Sequence, residues 1–143
     1  MSRLLILGYG NQLRGDDAIG PLAAERLQSV ITDPEIEIRA LRQLTPELME
    51  PISRAARVIF IDAALGSHPG EIAEREVEPR PAARPFTHHA TPESLLAAAT
   101  ALYGAAPPAT IITVAAAGFE IGQSLSEHAQ KALEDIVGRI AHL

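Results

Sequence analysis

The chain has 143 residues, 47% of them apolar but only 3% aromatic, with no cysteine and a formal net charge of -6. That length suits one domain, residues 1–143, with a core of Leu, Ile, Val and Ala. The acidic balance argues against a general nucleic-acid or anionic-membrane surface, and the lack of cysteine excludes disulfides, thiolate metal sites and thiol nucleophiles.

Arg3–Leu7 (RLLIL) is a short apolar run stopping at Gly8, the pattern of a strand buried on both faces. It superficially resembles a leader, but Gly8 and Gly10 break the run and no small-residue cleavage site follows. No stretch holds enough consecutive apolar residues to span a bilayer, so the expected compartment is the cytoplasm and no membrane partner is expected.

The spacing of Ile19, Leu22, Ala23 and Leu27 predicts a helix over about 18–30. Glu35–Leu41 (EIEIRAL) alternates polar and apolar, as a half-buried edge strand does. Thr45 and Pro46 supply an N-cap and a first-turn proline for a helix reaching about Ala55. Arg57–Ile61 (RVIFI) is a second buried strand, ending at Asp62, which makes the order β-α-β-α-β.

The linker LGSHPG is too short for a crossover helix, so the strand over about Glu71–Val77 should run antiparallel to its predecessor and the sheet should be mixed. A proline-rich loop follows over Glu78–Phe86. Thr91-Pro92-Glu93 opens an Ala-rich helix ending near Gly104, and Thr110–Ala116 is the last buried strand. Ser124–Glu127 (SLSE) has the form of a capping box for a final helix.

Gly8–Asp17, GYGNQLRGDD, begins like a phosphate-binding loop. A dinucleotide loop needs G-x-G-x-x-G, but here the third glycine is displaced to Gly15, and Asp16 and Asp17 would repel a phosphate. No Gly-Lys-Ser or Gly-Lys-Thr follows either, so a nucleotide-binding α/β domain is the least favoured reading. Asp16 would cap the first helix and Asp17 would complement its dipole, although one acid suffices for a cap and the second is free to bind something.

In open α/β sheets ligands sit beyond the carboxyl ends of the strands, where strand order reverses. With the first and third strands as neighbours and the second outside the first, Asp17 and Asp62 would face one crevice. Asp62 has a plainer reading as the start of a turn. His88 and His89 precede the third helix in THHATPE, and a histidine is more often a surface or packing residue than a ligand. Two carboxylates and an imidazole could nevertheless hold a divalent metal with open positions. His68 and His128 look solvated, His142 is in the C-terminal tail, and neither G-x-S-x-G nor H-E-x-x-H occurs.

At LGYGNQLRGDDAIGPLAAERL, VIFIDAAL and THHATPESLL the sequence resembles the hydrogenase maturation proteases, which trim the C-terminus of the large subunit of nickel-iron hydrogenases. The resemblance implies an α/β fold, a three-layer α/β/α sandwich of the phosphorylase/hydrolase-like type with a mixed, mostly parallel five-stranded sheet. It implies a metal-contacting site of Asp17, Asp62 and His89, with Asp17 and Asp62 catalytic and Asp16, His88 and Asn11 as accessory candidates. Asp17 matches as the acid immediately before Ala-Ile-Gly, and His89 as the residue three before the helix-opening proline.

The implied cofactor is nickel carried by the substrate, with none permanently bound. The implied partner is the large-subunit precursor, cleaved by a carboxylate pair or by metal-polarised hydrolysis. A non-catalytic nickel-sensing chaperone is the alternative.

Overall fold

The computed structural model describes residues 2–82 and 90–142. Five strands, β1 (Leu4–Tyr9), β2 (Ile36–Leu41), β3 (Val58–Leu65), β4 (Ile72–Glu76) and β5 (Ala109–Ala116), form one sheet in the order β2-β1-β3-β5-β4. β1 pairs in parallel with β2 and β3, β3 with β5, and β4 alone is antiparallel, on β5. The expected antiparallel strand is therefore present, but β5 lies between it and β3.

Strand alternation divides the apolar residues between two faces. Leu4, Ile6, Ile59 and Ile61 join one core, which α1 (Ile19–Val30) and α4 (Glu127–Ala141) cover through Ala23, Leu27, Leu133 and Ile136. Leu5, Leu7, Val58 and Phe60 join the other, under α2 (Met49–Arg54) and α3 (Pro92–Tyr103), through Ile52, Leu95 and Leu96. The result is a three-layer α/β/α sandwich. Each fully buried Leu, Ile or Phe contributes about 1.5–3 kcal/mol relative to exposure, so both helix layers are held mainly by these side chains.

Several element boundaries differ from the expectations, each for a local reason. The second helix begins as a 3-10 turn, Pro46–Leu48, and becomes α-helical only at Met49. Pro51 has no N–H to give to the carbonyl of Glu47, which leaves the first turn tight. Strand β3 runs on to Leu65 because β5 pairs with it along that length. Asp62 is thus inside a strand rather than after it.

The last helix is capped by Ser126, whose hydroxyl accepts from the Ala129 N–H, and not by a box opening at Ser124. α3 is capped by Thr91, which exchanges hydrogen bonds with Ser94 and closes a reciprocal box.

Helix α1 enters hard against the sheet. A Cβ on Gly8 would lie 2.1 Å from the Gly20 carbonyl oxygen, and one on Gly20 would lie 2.2 Å from that of Tyr9. Two facing glycines therefore set how closely the start of α1 approaches β1, and the acidic loop ahead of α1 is drawn over the strand ends.

Candidate functional site

The last β1–β3 pair is Gly8 with Ile61, so Asp62 emerges from β3 just where β1 has ceased to pair with it. On its other side Asp62 stays paired with Thr113 of β5. The carboxylate is therefore held by rigid sheet on one side and open on the other. This is the strand-order reversal anticipated from the sequence, with β1 and β3 diverging to neighbours on opposite sides.

The loop after β1 spends its amides on the protein itself. Gly10 N–H donates to Leu41 O (3.1 Å), Asn11 N–H to Asp17 Oδ2 (2.7 Å), Leu13 N–H to Asn11 Oδ1 (2.9 Å) and Arg14 N–H to Asn11 O (3.1 Å). Asp16 and Asp17 donate to Gly118 O and Arg14 O. Donors already committed in this way are not free to cradle a phosphate. Gly10 has φ +149, and a Cβ there would fall 2.0 Å from the Asp17 carbonyl oxygen, so this glycine is required by the turn.

Asp16 and Asp17 separate completely. Asp16 is buried, 2% exposed, and caps no part of α1. It reaches across to the segment before α4, accepting from Ala117 N–H (2.7 Å), Ser126 N–H (2.8 Å) and the Ser126 hydroxyl (2.8 Å). The expected cap is thus corrected to a tie between two loops. The reason is that Gly15–Ala18 forms a 3-10 turn that directs Asp16 toward β5.

Asp17, in the same turn, points the other way. With Asp62 it lines a crevice of about 370 Å³, whose other walls include Tyr9, Asn11, Arg42 and Gln43. Asn11 fixes Asp17 through its backbone N–H, and its own side chain is used in the loop.

Asp62 Oδ1 accepts the Ala63 N–H at 2.8 Å. Burial pushes the Asp62 carboxyl up to about 6, against the lowering effect of that amide and of the Tyr9 phenol, and the Asp17 charge adds to the rise. Tyr9 is itself driven far upward by burial and by the Asp62 charge, so it stays protonated and available as a donor. One carboxyl of the crevice therefore titrates near neutrality, the range a proton-transfer group needs.

His88 and His89 lie outside the described residues, as does part of the proline-rich loop. Ala90, the next residue along, lines the crevice. Among the described residues no three His, Asp or Glu side chains gather into a metal-binding group. His68 and His128 are exposed, as expected, and so is His142. Among the described residues no helix is long and apolar enough to cross a membrane.

Sequence reasoning passed over Tyr9, Arg42 and Gln43. Arg42 and Gln43 follow directly on β2, and Tyr9 is the last residue of β1, so the strand-end rule that selected Asp62 applies to them equally. Arg42 is the one cation among the described residues lining the crevice.

No protein-family profile matches the chain. It is 34% identical over 105 residues to the hydrogenase 3 maturation protease of Escherichia coli strain K12, a match covering 64% of this chain and 60% of that protein. The chain thus spans about 60% of the length of the curated relative it matches.

Among solved structures, it is similar to the NiFe hydrogenase maturation protease HycI from Thermococcus kodakarensis KOD1, with a TM-score of 0.79 and 25% identity over 99% of this chain and 91% of that one. The hydrogenase maturating endopeptidase HybD from E. coli shares the fold, with a TM-score of 0.79 and 24% identity over 96% of this chain and 89% of that one. In sequence over part of its length and in fold over nearly all of it, the chain is similar to hydrogenase maturation proteases.

Proposed function

We propose that the chain is an endopeptidase that removes a C-terminal peptide from the nickel-loaded large-subunit precursor of a nickel-iron hydrogenase, in the cytoplasmic setting expected from the sequence. The observation that carries this reading is the pair Asp17 and Asp62 in one crevice, with Asp62 titrating at about 6. Nickel belongs to the substrate in this reading and is recognised by Asp17, Asp62 and His89. The position of Ala90 on the crevice wall supports including His89, its neighbour in sequence.

The chemistry assigned to the pair is proton transfer. Each carboxylate has one oxygen held by a backbone amide, Asn11 for Asp17 and Ala63 for Asp62, so both are oriented before substrate arrives. Ionised Asp62 takes a proton from a water whose oxygen bonds to the scissile carbonyl carbon. The C–N bond then breaks, and Asp62 returns the proton to the leaving nitrogen. A group titrating near 6 can serve in both directions at neutral pH. Arg42, which also lines the crevice, is the positive charge assigned to the oxygen that becomes negative.

The deciding experiment incubates purified protein with precursor in nickel-loaded and nickel-free forms and reads C-terminal shortening by mass spectrometry. Shortening of the loaded form alone is the expected result. Equal cleavage of both forms, or of neither, would count against the proposal. Tight binding of the loaded form without peptide release would instead make the protein a nickel-sensing chaperone.

A further inference from the structure

The acid crevice continues into a second groove of about 330 Å³, with which it shares Gly10, Asn11 and Arg42. The groove lies between the loop after β1, the start of α1 and the carboxyl end of β2, and its walls include Leu13, Pro21, Glu25, Ala40 and Leu41. Leu13 is 68% exposed, an apolar side chain held out at the groove margin. One wall is the end of an edge strand, because among the described residues β2 pairs only with β1.

The backbone groups of that edge are not equally free. Arg3 N–H donates to Glu35 O and Gly10 N–H to Leu41 O, so the odd-numbered residues of this stretch turn toward β1 and Ile36, Ile38 and Ala40 turn outward. Ile36 N–H is used by Asp33 O (3.1 Å), and Ile38 O accepts from the Gln28 side chain (2.8 Å). The Ile38 N–H and both polar groups of Ala40 have no such partner among the described residues. The edge is thus covered at its start and open at the end that borders the groove. Proteins ordinarily protect open edges against pairing with other chains, so an opening confined to the border of a candidate active site suggests a use.

We propose that this open end of β2 pairs with an extended segment of the polypeptide substrate, the segment that cleavage releases, with an apolar side chain of that segment against Leu13. The inference rests on the peptidase reading and names the part of the substrate that the second groove holds. Strand addition draws affinity from main-chain hydrogen bonds and selectivity from alternate side chains, and it requires a chain not already folded. A C-terminal tail meets that requirement, whereas the folded body bearing the nickel does not. Continuity of the groove with the crevice over Gly10 and Asn11 lets one chain occupy both at once.

The test uses isotope-labelled protein titrated with a synthetic peptide of the precursor's released segment and followed by amide resonances. Saturable shifts at Leu13, Ile38 and Ala40, with slowed exchange of the Ala40 N–H, are expected. Leu13→Asp should weaken binding about tenfold by removing one apolar contact, without unfolding, since the side chain is exposed. In cleavage it should raise KM several-fold for precursor with a full tail, and leave unchanged a precursor trimmed to two residues beyond the scissile bond. Unmoved β2 amides, or a Leu13→Asp titration that overlays wild type, would overturn the assignment. Peptide binding is read without turnover, so a protein that binds the peptide at β2 yet cleaves nothing sinks the peptidase reading and supports the groove.

Discussion

Replacing Asp62 with Asn should stabilise the fold at neutral pH while abolishing the cleavage proposed above. The Asp62 carboxyl titrates at about 6 against an ordinary 3.8, so the folded state holds this proton more tightly than the unfolded chain does. For a raised acid, the favourable contribution is full below about pH 4 and is lost as pH rises through about 6. The gap of roughly two pH units corresponds to at most about 3 kcal/mol, reduced because the side chain is only partly buried.

Asparagine can keep the Ala63 N–H bond through its oxygen and never ionises beside Asp17. At pH 7.5 the variant should therefore be more stable by about 1–3 kcal/mol, or roughly 3–9 °C in Tm for a chain of this size. At pH 4 the difference should shrink toward zero. Thermal unfolding of both proteins across pH 4–8 checks this. A variant that melts at or below wild type at pH 7.5, or a difference that does not change with pH, would refute the reasoning.

Two further substitutions probe the neighbours of this carboxyl. Asp16→Ala removes the acceptor of three hydrogen bonds and leaves the Ala117 and Ser126 donors without it, so the urea midpoint should fall by the equivalent of about 2–4 kcal/mol. Tyr9→Phe takes away a phenol that favours the ionised form of Asp62, so the Asp62 carboxyl, followed by carbon NMR, should titrate above its wild-type position near 6. An unchanged or lower midpoint for Asp62 would show that the phenol does not act on it.

The layered fold was legible because its signals are local. RLLIL and RVIFI can be satisfied only by burial on both faces, and the Thr-Pro-Glu starts and Gly104 mark helix ends without help from tertiary structure. The convergence of Asp17 and Asp62 on one crevice followed from strand order. The role of Asp16 was not legible, since its partners lie 101 and 110 residues away and no local pattern encodes them. For the same reason SLSE suggested a cap at Ser124, whereas Ser126 takes it, held by Asp16. Tyr9 and Arg42 carry no motif, and they matter through where their strands stop.

The Asp16 tie has a consequence for how the protein matures. Within the turn of residues 15–18, the Asp16 side chain is secured by groups at residues 117 and 126, so fixing it requires contacts across 101 and 110 residues. Such distant closures come late in folding. Until α4 docks, the Asp16 carboxylate lacks its donors, and the loop bearing Asp17 is not pinned from that side. A partly made chain therefore has its glycine loop and its acids but not their arrangement, and the crevice gains its geometry only once α4 has docked.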